Sequence, residues 1–246
     1  MPSGVRIADD RPSMSTLVLL PGLDGTGQLF EELSRTLEGQ FRVLTLSYPT
    51  QQPMDYDGLL PFVRASLPDD DYIIIAESFS GPIALQIAQD KLPGLKGVVL
   101  GASFARLDIT AKWILKILAR ILPPRLVPTW LLAPFLMGRY ATPQLRHCLR
   151  QALAMVAPSV LGMRAQAALE VDLLQSGKTI DVPVLCLRAT QDLLVPKTAA
   201  EAISQIANDV TIREITAPHF IFQIAVSECA AAILQFERNI SERAVR

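Results

Sequence analysis

Asp71-Tyr72-Ile73-Ile74-Ile75-Ala76-Glu77-Ser78-Phe79-Ser80-Gly81 is the stretch on which the fold turns. Its first half is β-branched and aromatic, as in a strand buried on both faces. Immediately after it, Ile83, Ala84, Ile87 and Ala88 recur at helical spacing. A strand therefore gives way to a helix within two or three residues, and Ser78 stands on the corner. A sharp turn of this kind strains the backbone of the corner residue and leaves no room for bulk two positions to either side. Ala76 and Ser80 meet that steric demand. The helix that follows points its unpaired N-terminal amides, that of Phe79 among them, toward whatever lies beyond the corner. A serine that merely caps the helix satisfies the same local pattern, so the neighbouring sequence has to decide.

Working outward, Thr16-Leu-Val-Leu-Leu20 is a continuous apolar run closed by Pro21-Gly22, which reads as another buried strand. Leu29, Phe30, Leu33 and Leu37 follow at helical spacing, then a strand over 41–46 and a helix over 56–67. Strands are expected again over 98–100, 182–187 and 210–215, with helices over about 197–207 and 221–238. Strands that alternate with helices imply a mostly parallel sheet, here of about six strands, flanked by helices on both faces. The alternation stops between 104 and 175, where helical patterns are broken by Pro123-Pro124, Pro128, Pro134, Pro143 and Pro158. The expected organisation is a core of 15–103 and 176–246, a helical cap over 104–175 and a flexible, polar N-terminus over 1–14.

Two further polar residues follow strands at the end where ligand sites form in such sheets. His219, in Ala217-Pro218-His219-Phe220, comes just after the last strand. The other histidine, His147, lies in the cap with no strand before it. Asp192 comes after the strand over 182–187, whereas Asp181 and Asp209 precede strands and sit at the opposite end. Ser78 as nucleophile, His219 as general base and Asp192 as the acid that orients the imidazole form a catalytic set in the chain order Ser, Asp, His. The glycine-rich Pro21-Gly-Leu-Asp-Gly-Thr-Gly27 follows the first strand but matches neither GxGxxG nor GxxxxGK[ST], the phosphate-cradling patterns. Its better use is to present the Leu23 amide as a second oxyanion donor beside that of Phe79. Asp24 fits an Asx turn that shapes the loop.

Taken together, the oxyanion loop, the elbow at Ser78, the cap insertion, the acid and the histidine resemble the α/β-hydrolase superfamily. The likeness runs from about Ser15 to Arg238. Two departures stand out: Pro21 occupies the place where many members have the histidine of a His-Gly pair, and Ala76 replaces the first glycine of the elbow. The PGLDGTG loop with the ESFSG elbow is also similar to the hydrolase portion of plant phytyl ester synthase and diacylglycerol acyltransferase-like proteins. That resemblance implies chemistry on acyl chains. No counterpart of the further acyltransferase region of those proteins is expected in these residues, so the resemblance points to acyl-chain chemistry and not to synthesis.

Composition narrows the function classes. Half of the 246 residues are apolar, enough for one large domain, and the formal net charge is −1. No global basic surface points to nucleic acid. Three scattered cysteines without zinc spacing, Cys148, Cys186 and Cys229, read as reduced core thiols, and neither a metal nor an organic cofactor is expected. The first thirteen residues lack the apolar stretch of a secretory signal, so a cytoplasmic location is expected. Lys112, Lys116, Arg120 and Arg125 interrupt the apolar run of 109–137 before it reaches a membrane span.

Within the cap, Trp113, Ile117, Trp130 and Phe135 are candidates to line an acyl-binding pocket, against the alternative that they only pack the cap onto the core. From Phe104 to Arg150 the one acid is Asp108, against eight bases. Such a basic cap resembles that of pimeloyl-carrier-protein methyl esterases, and it would suit an anionic acyl carrier or an anionic membrane surface as partner. The expected activity is hydrolysis of a small-molecule aliphatic acyl ester or thioester through an acyl-enzyme. The alternatives are acyl transfer by the same triad, a carrier-directed esterase or thioesterase, and a non-catalytic ligand-binding protein.

Overall fold

The computed structural model describes residues 15–108 and 129–245, with the side chains of 129–131, 244 and 245 left aside. Six strands form one sheet: β1 (Thr16–Leu20), β2 (Arg42–Thr45), β3 (Tyr72–Glu77), β4 (Leu95–Gly101), β5 (Val184–Ala189) and β6 (Val210–Ile215). Their order is β2-β1-β3-β4-β5-β6, and every neighbouring pair is parallel. This is the α/β-hydrolase fold.

Side chains alternate across a strand with a period of two, so each central strand feeds two cores. Val18, Leu20, Ile74, Ala76, Val98, Leu100 and Cys186 face helices α2 (Tyr56–Arg64), α3 (Gly81–Gln89) and α7 (Thr198–Ser204). Leu17, Leu19, Ile73, Ile75, Val99, Leu185 and Leu187 face α1 (Glu31–Leu37) and the C-terminal helices α8 (Ile221–Ile224) and α9 (Val226–Val245). Continuous apolar runs were the sequence signature of this double burial.

Several boundaries differ from expectation for identifiable reasons. The strand expected from Val182 begins at Val184, because Pro183 has no N–H to give the ladder; its carbonyl accepts from Val98 N at 3.0 Å. The helix expected over 221–238 is two helices, interrupted at Ala225, whose φ of −111° and ψ of 47° leave the helical region. Of the three cysteines only Cys186 and Cys229 are core residues, and burial pushes both thiols up to about 12. Cys148 is partly exposed.

Between β4 and β5 the described residues form α4 (Thr129–Met137), α5 (Pro143–Ala154) and α6 (Pro158–Glu170). Asp172 and Arg106 close the base of this excursion with an antiparallel bridge, backed by Leu173 N donating to Ala105 O. Trp113, Ile117, Lys112, Lys116 and Arg120 lie outside the described residues, as do residues 1–14. No single described helix is long and apolar enough to cross a membrane; α5 and α6 reach the length only as a pair bent by 102°.

Gly101 shows how tightly the sheet meets its helices. A Cβ there would lie 2.2 Å from Cε2 of the fully buried Phe222. Gly101→Ala is expected to cost about 1–3 kcal/mol as an overpacking change. Thermal melting by circular dichroism should show a fall of roughly 3–10 °C; an unchanged midpoint would contradict this packing.

Candidate active site

Ser78, Asp192 and His219 come from three separate connections, each just past the carboxyl end of a strand: β3, β5 and β6 respectively. The sheet brings them together. Ser78 Oγ lies 2.9 Å from His219 Nε2, and His219 Nδ1 lies 2.8 Å from Asp192 Oδ2. With Nδ1–H donating to the carboxylate, Nε2 is the acceptor for the serine hydroxyl. The other carboxylate oxygen, Oδ1, accepts from Leu194 N at 2.8 Å and Val195 N at 3.0 Å, which fixes the plane of the acid. The two side chains of the His–Asp pair are 6% and 4% exposed, so water competes little for their hydrogen bond. Ser78 is half-buried. The other histidine, His147, is exposed on α5.

The corner at Ser78 has the strain that its sequence implied: φ is 46°, the left-handed region. Several contacts hold it there. Ser103 Oγ donates to Ser78 O at 2.6 Å, and Tyr56 OH donates to Phe79 O at 2.9 Å while its ring stacks on Phe79 at 4.8 Å. Gly81 is needed because a Cβ would fall 1.7 Å from Ser103 Oγ. Ser80 is fully buried, and its hydroxyl has a task beyond being small: it donates to Pro21 O and receives from Tyr48 OH at 2.6 Å. The elbow is thereby tied to the loop after β1.

That loop contains the Leu23 amide. Gly25 N donates to Gly22 O at 3.0 Å, closing a tight turn, and Asp24 Oδ1 accepts from Thr26 N at 2.9 Å in the expected Asx turn. The amide of Phe79 lies in the first turn of the helical segment that begins at Ser78, where a helix has no internal acceptor to offer.

Glu77 was not legible as a site residue, because the residue before the serine is unconstrained in the small-x-Ser-x-small pattern. It is 4% exposed, accepts from Gln223 Nε2 at 2.9 Å and approaches Gly22. Burial is the main influence on its carboxyl and, offset in part by the Gln223 hydrogen bond, pushes it up to about 7. Among the described residues no group of three or more His, Cys, Asp or Glu is placed to hold a metal ion.

Of the pocket candidates, Phe135 is 45% exposed on α4, and Trp130 lies on the same helix with its side chain outside the described set. A different apolar group takes in the residue that follows the histidine. Ala133, Met137, Leu149 and Phe220 form a buried cluster, and Phe220 N donates to Leu136 O at 2.9 Å. Helix α4 is therefore pinned to the residue next to His219.

Residues 17–232 match the profile of the α/β hydrolase family, and the chain belongs to that family. Among solved structures it is similar to the enol-lactonase from Burkholderia xenovorans LB400, with a TM-score of 0.79, 16% identity and 94% of each chain covered. It is similar also to a lipase-esterase related protein from Clostridium acetobutylicum ATCC 824, with a TM-score of 0.76, 22% identity, and 90% of this chain and 94% of that one covered. The esterase from Exiguobacterium antarcticum gives a TM-score of 0.78 at 15% identity, covering 91% and 92%. At these identities the likeness is one of fold. No curated protein sequence matches the chain. The narrower resemblance to phytyl ester synthases is not shown by these comparisons.

The Glu77 carboxyl has a consequence for stability. Its folded value of about 7 lies above the ordinary 4.5, so the folded state keeps a proton that the unfolded chain releases between those values. Its contribution to stability is fully present below about pH 4.5, falls as pH rises to 7 and is level above, a span on the order of 3 kcal/mol. Glu77→Gln removes the titration, and Gln223 Oε1, which has no donor among the described residues, can receive the new amide if Gln223 turns over. Melting temperatures measured from pH 4.5 to 8 should show the variant gaining on the wild type as pH rises; parallel curves would refute the assignment.

Proposed function

We propose that this chain is a serine hydrolase that cleaves a carboxylic ester or thioester with an aliphatic acyl chain, with Ser78 as nucleophile, His219 as base and Asp192 as orienting acid. The observation that carries the reading is the unbroken hydrogen-bonded line Ser78–His219–Asp192, with a half-buried serine at one end and a buried carboxylate at the other. As Ser78 Oγ attacks the carbonyl carbon, its proton passes to His219 Nε2, and the carbonyl π pair moves onto oxygen. The Leu23 and Phe79 amides receive that oxyanion. Collapse expels the alcohol or thiol, which takes the proton from His219. Water then adds to the acyl-enzyme with the same base, and the acid leaves as Ser78 is restored.

An acyl chain is favoured over a polar one by the apolar character of the β4–β5 excursion, whose buried cluster of Met137 and Leu149 takes in Phe220, the residue that follows His219. The exposed guanidinium groups of Arg146 and Arg150, one turn apart on α5, support an acyl group presented by an anionic carrier or surface. Reversing both charges should weaken turnover of a carrier-bound thioester and spare a small uncharged ester. Equal effects on the two substrates would remove the carrier from the proposal.

The primary test is labelling with a fluorophosphonate, which reacts with an activated serine. Wild-type protein should label, Ser78→Ala should not, and His219→Ala should label slower by roughly 10³-fold or more. Turnover of p-nitrophenyl esters from acetate to palmitate then measures the pocket. A folded wild type that neither labels nor turns over any ester would move the reading to a ligand-binding protein, and a new ester formed from added alcohol would move it to acyl transfer.

A further inference from the structure

Arg164 lies in the middle of α6, in the excursion between β4 and β5, yet it is fully buried. A buried guanidinium requires partners, and among the described residues none of its hydrogen bonds goes to a carboxylate. Nη1 donates to Leu23 O at 3.1 Å and to Asp24 O at 2.8 Å, and Nη2 donates to Pro49 O at 2.9 Å. The charge centre sits 5.5 Å from the ring of Tyr48, and Asp24 supplies a counter-charge through space. Nε has no hydrogen-bond partner among the described residues. Burying a cation this deeply against backbone carbonyls is costly unless something depends on where those carbonyls point.

Leu23 is the residue whose amide the proposed reaction uses, and the inference rests on that reading. In a trans peptide the N–H points opposite the preceding C=O. Gly22 O is held inside the turn by Gly25 N, so the Leu23 N–H in the same peptide plane is turned outward. The next two carbonyls, Leu23 O and Asp24 O, are both taken by Arg164 Nη1. Gly25 O accepts from Tyr48 N at 2.7 Å, and Tyr48 OH continues through Ser80 to Pro21 O. Every carbonyl from Pro21 to Gly25 is thus claimed, and the central two by one side chain. Gly25 is glycine for the same reason: a Cβ would lie 2.2 Å from Arg164 Nη1.

We propose that Arg164 is a positioning residue for the oxyanion hole, a fork inserted from the β4–β5 excursion that locks the Gly22–Gly25 turn so that the Leu23 amide is already aimed when negative charge develops. It touches no reacting atom. Its effect belongs to the transition state, because the ground-state ester carbonyl needs the aimed amide far less than the oxyanion does. The same contacts make the excursion part of the catalytic geometry as well as a cover.

The test compares wild type, Arg164→Met and Arg164→Lys at a temperature where melting curves show each to be folded. Expected for R164M is a fall in kcat of roughly 10- to 100-fold with KM nearly unchanged, a fraction of what deleting an oxyanion donor costs. A trifluoromethyl ketone with the preferred acyl chain reads the hole directly. Ser78 Oγ bonds to its carbonyl carbon, the π pair becomes an alkoxide, and the proton moves to His219. Its affinity should fall by the same factor as kcat/KM, while affinity for the uncharged primary alcohol of the same chain length stays within about twofold of wild type. R164K keeps a cation but not the fork, and should regain stability more than kcat.

If R164M does not fold, R164K carries the comparison alone. Folded variants with wild-type kcat and wild-type ketone affinity would overturn the proposal, as would losses shared equally by the ketone and the uncharged alcohol. A wild type that does not react with fluorophosphonate would instead overturn the catalytic reading beneath it.

Discussion

Ser78 is held at a φ of 46°, a conformation that costs a non-glycine residue on the order of 1–3 kcal/mol, and the surroundings are arranged to impose it. Parallel pairing of β3 with β1 and β4 fixes the chain up to Glu77. Pro82, at the start of α3, belongs where a helix can spare an N–H, and the helix then carries the chain away. Between the two, Ser103 and Tyr56 hold the carbonyls of Ser78 and Phe79. The strained corner lifts the serine hydroxyl out of the sheet toward His219 and places the Phe79 amide at a helix start. Without that one dihedral, the Ser78 hydroxyl and the Phe79 amide, the proposed nucleophile and oxyanion donor, would not face the same space.

The remaining features follow from joining other connections to this corner. The loop after β1 is attached through Ser80 and Tyr48, and the loop after β6 through His219. Asp192 is held by amides of its own loop, while Thr190 and Gln191 donate to Ile215 and Ala217 at the end of β6. The loops that carry Asp192 and His219 are therefore tied to one another. Arg164 adds the excursion to the same framework. The architecture is one in which backbone carbonyls, more than side-chain charges, are what the polar side chains grip.

Glu77 stands apart from this economy of backbone contacts. Its carboxyl belongs to the residue before Ser78, is buried between Gln223 and Gly22, and is pushed up to about 7 mainly by that burial. A buried group so placed links the stability of the elbow to pH, in a region where the His–Asp pair is itself sealed from water.

By itself the sequence determined the alternation of strands and helices, the parallel sheet and the three residues that meet at the strand ends. Apolar runs and turn residues are local signals, and in a parallel sheet every connection of one kind ends on the same side. It also marked Asp24 as a turn former. Boundaries at Pro183 and Ala225 were less legible, because they depend on which groups find a partner in three dimensions.

The supporting polar network was decided by tertiary structure alone. Arg164 shares a helical face with the buried Val160, Leu161 and Ala167, a placement visible in the spacing, but the carbonyls it grips lie 115 to 141 residues away in the chain. Glu77, Tyr48, Ser103 and Gln223 are likewise ordinary until the sheet closes, since a hydrogen bond between distant connections leaves no periodicity in the sequence. Local pattern fixes which element a residue belongs to; only packing fixes which unpaired donor or acceptor it meets.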